Sequence, residues 1–165
     1  MKQVRTLTRL ALLSAMALIL YVVEAQIPNP VPIAGVKLGL SNIVTIFTVF
    51  AYGPWQALAV LTVRVFLGSL FTGQIVALAY SAAGGLLSLL AMLALRRVVT
   101  LRQIWVCSVI GGIFHNLGQI LMAIAITRTP GLLVYLPVLI LSGLLAGLFT
   151  GLTAQYCIGH MKRIF

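Results

Sequence analysis

Arg64 stands near the middle of Trp55–Phe71, a run whose other residues are ready to dissolve in lipid. A charge at bilayer depth costs roughly 2.5–3.5 kcal/mol on insertion scales, so such a residue turns inward toward a partner or a cavity. His115 and Asn116 fall within a second apolar run, Ile104–Ile126, and Gln119 follows one turn later on the same helix face as His115. At 1.5 Å per residue, Arg64 lies about 15 Å, and His115 about 17 Å, from the start of its run. A cation, an imidazole and two amides thus share one depth near the midplane. With the first run entering from the inner side, Glu24 falls in the outer third of its run, Asn42, Thr45, Tyr80 and Ser81 in the outer halves of theirs, and Lys37 just before Asn42. Together they sketch a pocket opening toward one surface rather than a continuous channel. Arg64, His115 and Lys37 would favour an anionic head, carboxylate or phosphate. The first ligand contacts expected are Arg64, His115, Asn116 and Gln119, followed by Lys37, Asn42, Glu24 and Tyr80.

Each of these residues also has a plainer reading. Arg64 and Glu24 could form a structural ion pair. His115, Asn116 and Gln119 could be interhelical hydrogen bonders, worth about 0.6 kcal/mol each on average. Lys37 could be an interfacial anchor. Their gathering at one depth, in a chain with so few polar groups, favours a ligand site. Intramembrane ionisable residues are functional candidates by default.

Much chemistry is excluded by what the chain lacks. It contains one acid, Glu24, and no aspartate, so paired carboxylates for acid–base work or for holding magnesium are absent. No Gly-x-x-x-x-Gly-Lys-[Ser/Thr] loop is present to bind ATP. His115 and His160 lie at different depths, and Cys107 and Cys157 lack metal-ligand spacing. The chain is therefore expected to be no enzyme, with no catalytic residue, metal or cofactor. The two cysteines read as small packing residues in a reducing setting.

These residues need elements to position them. Of the 165 residues, 62% are hydrophobic and 7% charged, where a soluble domain carries about 25% charged. Lipid must therefore be the solvent. The formal charge of +10 does not mark a nucleic-acid binder, because the basic residues form no stripe interleaved with aromatics. Six apolar segments predict six spans in a single membrane domain, 1–165: 10–27, 38–52, 55–71, 75–95, 104–126 and 132–158. The second is short. Pro28, Pro30 and Pro32 exclude regular helix between the first two, and Gly53-Pro54 and Thr129-Pro130-Gly131 mark tight turns. Lys2, Arg5 and Arg9 before the first run imitate a signal peptide, but the run is long for one and lacks a convincing cleavage site.

Lys and Arg set the orientation. With the N-terminus inside, the inner side holds Lys2, Arg5, Arg9, Arg96, Arg97, Arg102, Lys162 and Arg163, against Lys37 and Arg128 outside. Both termini are then cytoplasmic. Gly143, Gly147 and Gly151 form a small-residue ladder on the last span, and Ala11 and Ala15 a shorter one on the first; such spacing lets helices approach closely.

Five stretches together carry a family resemblance: Lys37-Leu-Gly-Leu-Ser-Asn42, Tyr52-Gly-Pro-Trp-Gln-Ala, Arg64-Val-Phe-Leu-Gly-Ser-Leu-Phe-Thr-Gly73, Tyr80-Ser-Ala-Ala-Gly-Gly-Leu-Leu-Ser and His115-Asn-Leu-Gly-Gln119. Over nearly the whole chain it resembles the Gx transporter family, also catalogued as heptaprenyl diphosphate synthase component I. That family is similar to the substrate-binding S components of energy-coupling factor transporters. The resemblance implies an all-α, six-helix membrane bundle in a prokaryotic cell membrane, with both termini cytoplasmic. It implies a small-molecule site near the outer face, closed by the proline-rich stretch from Pro28 to Lys37. It also implies docking of Ala11 and Ala15 on a transmembrane coupling protein that carries two ATPase subunits. The substrate is not carried over, because one fold hosts many ligands. The alternative catalogue name implies isoprenoid synthesis. Prenyl diphosphate synthases hold magnesium and diphosphate with aspartate-rich motifs, which this chain lacks, so it would at most accompany a catalytic subunit. A self-sufficient proton-coupled carrier using Glu24 or His115 is a further alternative, though the chain shows no internal repeat of the usual transporter kind.

Overall fold

Gly and Pro punctuate the chain into helices. The computed structural model describes residues 2–26, 39–73 and 75–164. Within them lie α1 (Lys2–Gln26), α2 (Asn42–Ala51), α3 (Pro54–Thr72), α4 (Ile75–Leu95), α5 (Ile104–Thr127) and α6 (Leu136–Ile164), with short 3-10 turns at Leu101–Gln103 and Pro130–Tyr135. No strand occurs among the described residues. Between α2 and α3 the chain reverses at Gly53, whose φ of 123° is open to glycine, and Pro54 starts α3 where its missing N–H costs nothing. Gly73 closes α3 in the left-handed region, as helix ends commonly do. The side chain of Thr100 and that of Gln103 cap the turn before α5 reciprocally.

Five helices, α1 and α3 to α6, are long and apolar enough to cross a membrane. The segment expected as a sixth span, 38–52, forms the ten-residue α2. At 1.5 Å per residue it reaches about 15 Å, half of a hydrocarbon core of about 30 Å. Elsewhere the ends shift for physical reasons. Helix α1 begins at Lys2, eight residues before the apolar run, because the polar residues there continue the same helix. The last segment opens as a 3-10 turn after Pro130 and becomes α-helical at Leu136. The bundle leaves large apolar side chains such as Phe71, Leu145 and Phe149 on its outside, as lipid exposure allows and water does not. The chain is a multi-pass membrane protein.

Helices α1 and α3 run parallel, Tyr21 meeting Gly68, because the short α2 makes the return pass, and from α3 onward each helix runs antiparallel to the one before it. The clearest seam joins α5 and α6. A Cβ added at Gly112 would meet the Gly143 carbonyl, one at Gly147 would meet Val109, and one at Gly151 would meet Trp105, all backbone atoms. The glycine ladder of α6 is therefore a packing surface within the molecule. Gly118 lies equally close to Ala83 and Gly84 of α4. A core of Ile46, Met92, Ile104, Cys107, Ala154 and Ile158 ties α2 to α4, α5 and α6. A second, with Leu13, Ala17, Val44 and Val60, ties α1 to α2 and α3. Cys107 is buried and packs as expected, with its thiol donating to the Met92 carbonyl, whereas Cys157 is exposed.

Among the described side chains, Arg9 and Arg96 lie at one end. Arg9 lies 6.0 Å over the Tyr52 ring, and the Arg96 guanidinium lies 4.0 Å from where a Gly53 Cβ would sit. The start of α1, the α2–α3 turn, the α4–α5 connection and the end of α6 share this end, and Arg128 lies at the other.

Candidate functional site

The buried polar groups converge where α2 begins. Gly39, at φ 72°, and Ser41 precede its first turn. The Gly39 N–H donates to Glu24 Oε1 from the end of α1. From the opposite side Arg64 of α3, only 2% exposed, donates from Nη1 to Ser41 Oγ at 2.7 Å and to Asn42 Oδ1 at 3.0 Å. The start of α2 is thus gripped by a carboxylate on one helix and a guanidinium on another. Glu24 is itself buried. Among the described residues no hydrogen bond joins the two. Instead both hold adjacent backbone and side chains of the same turn. Charged partners make these the strong class of hydrogen bond.

Arg64 is not saturated by this arrangement. Among the described residues its Nε is buried without a hydrogen-bond partner, as is Thr45 Oγ1 one turn into α2. Orphaned buried polar atoms are few in native proteins, and each marks an unplaced water, a ligand or a functional strain.

Asn42 also faces the other way. With Gly39, His115 and Asn116 it lines a cavity between α2, α5 and α6, floored by Ser108 and Thr150. Those two hydroxyls bond each other at 3.0 Å. Asn116 Nδ2 donates to the Leu139 carbonyl of α6 at 2.7 Å, so its amide fixes the α5–α6 seam beside the cavity. The cavity measures about 10 Å³, room for about one water molecule. An organic ligand enters here only if α2 moves away from α5 and α6.

The structure therefore unites Arg64, Asn42, Glu24, His115 and Asn116 around the start of α2. Gln119 is buried on α5 against Gly84 of α4, beside His115, and its Oε1 lacks a partner; it does not line the cavity. Tyr80 is half-buried on α4 and also stands off the cavity wall. Lys37, Pro28, Pro30 and Pro32 lie outside the described residues. Ala11 and Ala15 lie on an exposed face of α1, flanked by exposed Leu12, Met16 and Ile19. They are available to an outside partner as well as to lipid.

Four contributors were not singled out from sequence. Ser41 and Gly39 sat inside the motif around Asn42, and their roles depend on a turn geometry that composition does not reveal. Ser108 and Thr150 pair across two helices 42 residues apart in sequence. Among the described residues no group of His, Cys, Asp and Glu is placed to hold a metal ion.

No curated protein and no solved structure matches this chain. The family model for heptaprenyl diphosphate synthase component I matches residues 13–157. That span begins inside α1, takes in every residue of the polar cluster and ends within α6, so the chain belongs to the heptaprenyl diphosphate synthase component I family.

Proposed function

We propose that this protein is the membrane-embedded substrate-binding component of an importer, similar to the S components of energy-coupling factor transporters. It takes a small organic molecule, vitamin-like or related to isoprenoid and quinone precursors, with an anionic group facing Arg64 and His115. The observation that carries this reading is the Arg64 arrangement. The buried guanidinium donates to Asn42, which lines the small cavity with His115 and Asn116, and its Nε has no hydrogen-bond partner among the described residues. A purely structural arginine would be expected to find partners for every donor. Five spanning helices and the short α2, with both termini cytoplasmic, fit the basic residues at one end of the bundle. Import is driven by two ATPase subunits reached through a coupling protein that docks on Ala11 and Ala15. The chain itself is non-catalytic, since its single carboxylate is engaged by Gly39.

The family description favours a second reading, a non-catalytic subunit that keeps heptaprenyl diphosphate synthesis at the membrane. In that role the polar cluster would be scaffold only. Small-molecule mass spectrometry separates the two. Protein purified from native membranes should retain a small acidic metabolite, and Arg64→Ala and His115→Ala should lose it while still folding. Retention of the same molecules by wild type and both variants would remove the binding-component reading.

A further inference from the structure

The basic end of the bundle holds a second cavity, far from the start of α2. It measures about 540 Å³ and runs between the Leu101–Gln103 turn and the last turns of α6. Arg102 forms one wall, and Gln155, Tyr156, Gly159 and His160 the other, with Leu152 on the side nearer the middle of α6. We propose that this groove binds an anionic phospholipid whose headgroup joins a phosphate to free hydroxyls, as in phosphatidylglycerol.

Charge, depth and an orphaned acceptor support that occupant. The one acidic side chain in the protein, Glu24, is engaged by Gly39 at the α1–α2 junction. Arg102 therefore has no carboxylate side chain within the molecule to neutralise it, and phosphate suits its forked donors. The depth is right for a headgroup. A hydrocarbon core of about 30 Å takes up about 20 helical residues. Helix α6 has 29, so its last turns overrun the core into the headgroup layer. Leu152 then meets the acyl chains and Arg102 the phosphate.

The third observation selects among anionic lipids. Gln155 lines the groove, and among the described residues its Oε1 has no hydrogen-bond partner. It needs a donor, and neither a bare phosphate diester nor a choline headgroup offers one; a glycerol hydroxyl does. The site is also firmly built. Thr100 donates from both N and Oγ1 to Gln103 Oε1, at 3.2 and 3.0 Å, which fixes the turn carrying Arg102. Tyr156 and His160 stack with ring planes 15° apart. Gly159 leaves open space where a side chain would stand. Basic pockets between spanning helices are a recurring way of holding anionic lipid.

Native mass spectrometry of the full chain in neutral detergent tests this. The probes are phosphatidylglycerol, phosphatidylmethanol and phosphatidylcholine of matched acyl length, together with soluble glycerol 3-phosphate. Wild type should hold phosphatidylglycerol about tenfold more tightly than phosphatidylcholine, the scale of one charge-assisted hydrogen bond. Arg102→Gln should erase that preference. Gln155→Leu should erase only the preference for phosphatidylglycerol over phosphatidylmethanol, a phosphodiester with no headgroup hydroxyl. Gly159→Leu, which keeps every charge but fills the groove, should lose bound lipid even if Arg102→Gln folds poorly. Arg128→Gln, at the other end, should change nothing. Equal binding of phosphatidylglycerol and phosphatidylcholine by wild type would overturn the proposal. So would displacement of the lipid by glycerol 3-phosphate at equal concentration, which would assign the site to a soluble phosphate. Neither readout involves an imported substrate.

Discussion

Replacing Gly112 with Ala tests whether the α5–α6 seam sets the size of the central cavity. The added Cβ would run into the Gly143 carbonyl oxygen. That neighbour is backbone and cannot swing aside. Restoring an ordinary contact moves α5 off α6 by about 1 Å, and a gap of 0.5–1 Å already forfeits about a quarter to a half of each dispersion well. Overpacking of this kind costs about 1–3 kcal/mol. Alanine returns up to about 1 kcal/mol through helix propensity. With the full ~1 kcal/mol returned, the net loss is up to about 2 kcal/mol, or up to about 8 °C of melting temperature for a chain of this size. Gly159→Ala, on α6 but with nothing within 4 Å of the new Cβ, gains propensity with no clash and should melt at or slightly above wild type. The same 1 Å shift in Gly112→Ala should stretch the bond from Asn116 to the Leu139 carbonyl, so amide exchange along α5 near Asn116 should rise. Thermal unfolding of the three proteins in one detergent, with hydrogen exchange, reads both effects. Gly112→Ala melting with or above Gly159→Ala would refute the packing argument.

The remaining predictions concern the polar cluster and the outer face of α1. Arg64→Leu removes the donors to Ser41 and Asn42, each a charged hydrogen bond worth about 1.5–3 kcal/mol. Amide exchange at Leu40–Ile43 should accelerate well beyond that in an Asn42→Ala variant, and equal exchange in the two would show that Arg64 does not hold this turn. Glu24→Gln keeps an acceptor for the Gly39 N–H and should stay close to wild-type stability, whereas Glu24→Ala should lose about 1–3 kcal/mol by stranding that donor; similar chemical-unfolding midpoints for the two would contradict the assignment. Asn116→Leu should cost about 0.6–1.7 kcal/mol, the measured range for interhelical bonds in a membrane protein, and an unchanged unfolding midpoint would mean the bond to Leu139 carries no weight. Ala11→Trp and Ala15→Trp point outward and should leave stability within about 0.5 kcal/mol, yet sharply reduce recovery of the coupling protein; undiminished recovery would move the docking face elsewhere.

The helices were largely legible because lipid demands long apolar runs and charge marks their ends. Ile75–Leu95 coincides with the expected segment, and α3 and α5 differ from theirs by a residue at one or both ends. The short α2 was the weak point, since its capture at Gly39–Asn42 depends on Glu24 and Arg64, which lie on other helices. The candidate site was legible as a set of residue types at one depth. Its wiring was not. Pairing Arg64 with Glu24 is the natural guess in a chain with one acid, yet Arg64 reaches Ser41 and Asn42, and Glu24 reaches a backbone N–H. Helix periodicity put Gln119 on the face of His115 but could not show that this face meets Gly84. Nor could it show that Asn116, the next residue after His115, would spend its amide on α6.

The most direct test of the importer reading is affinity purification of the tagged protein from its native membrane in mild detergent, followed by protein mass spectrometry. Recovery of a transmembrane coupling protein with two ATPases is the expected result, and Ala15→Trp should abolish it. Recovery of prenyl or quinone enzymes without any ATPase would contradict it and establish the accessory role instead.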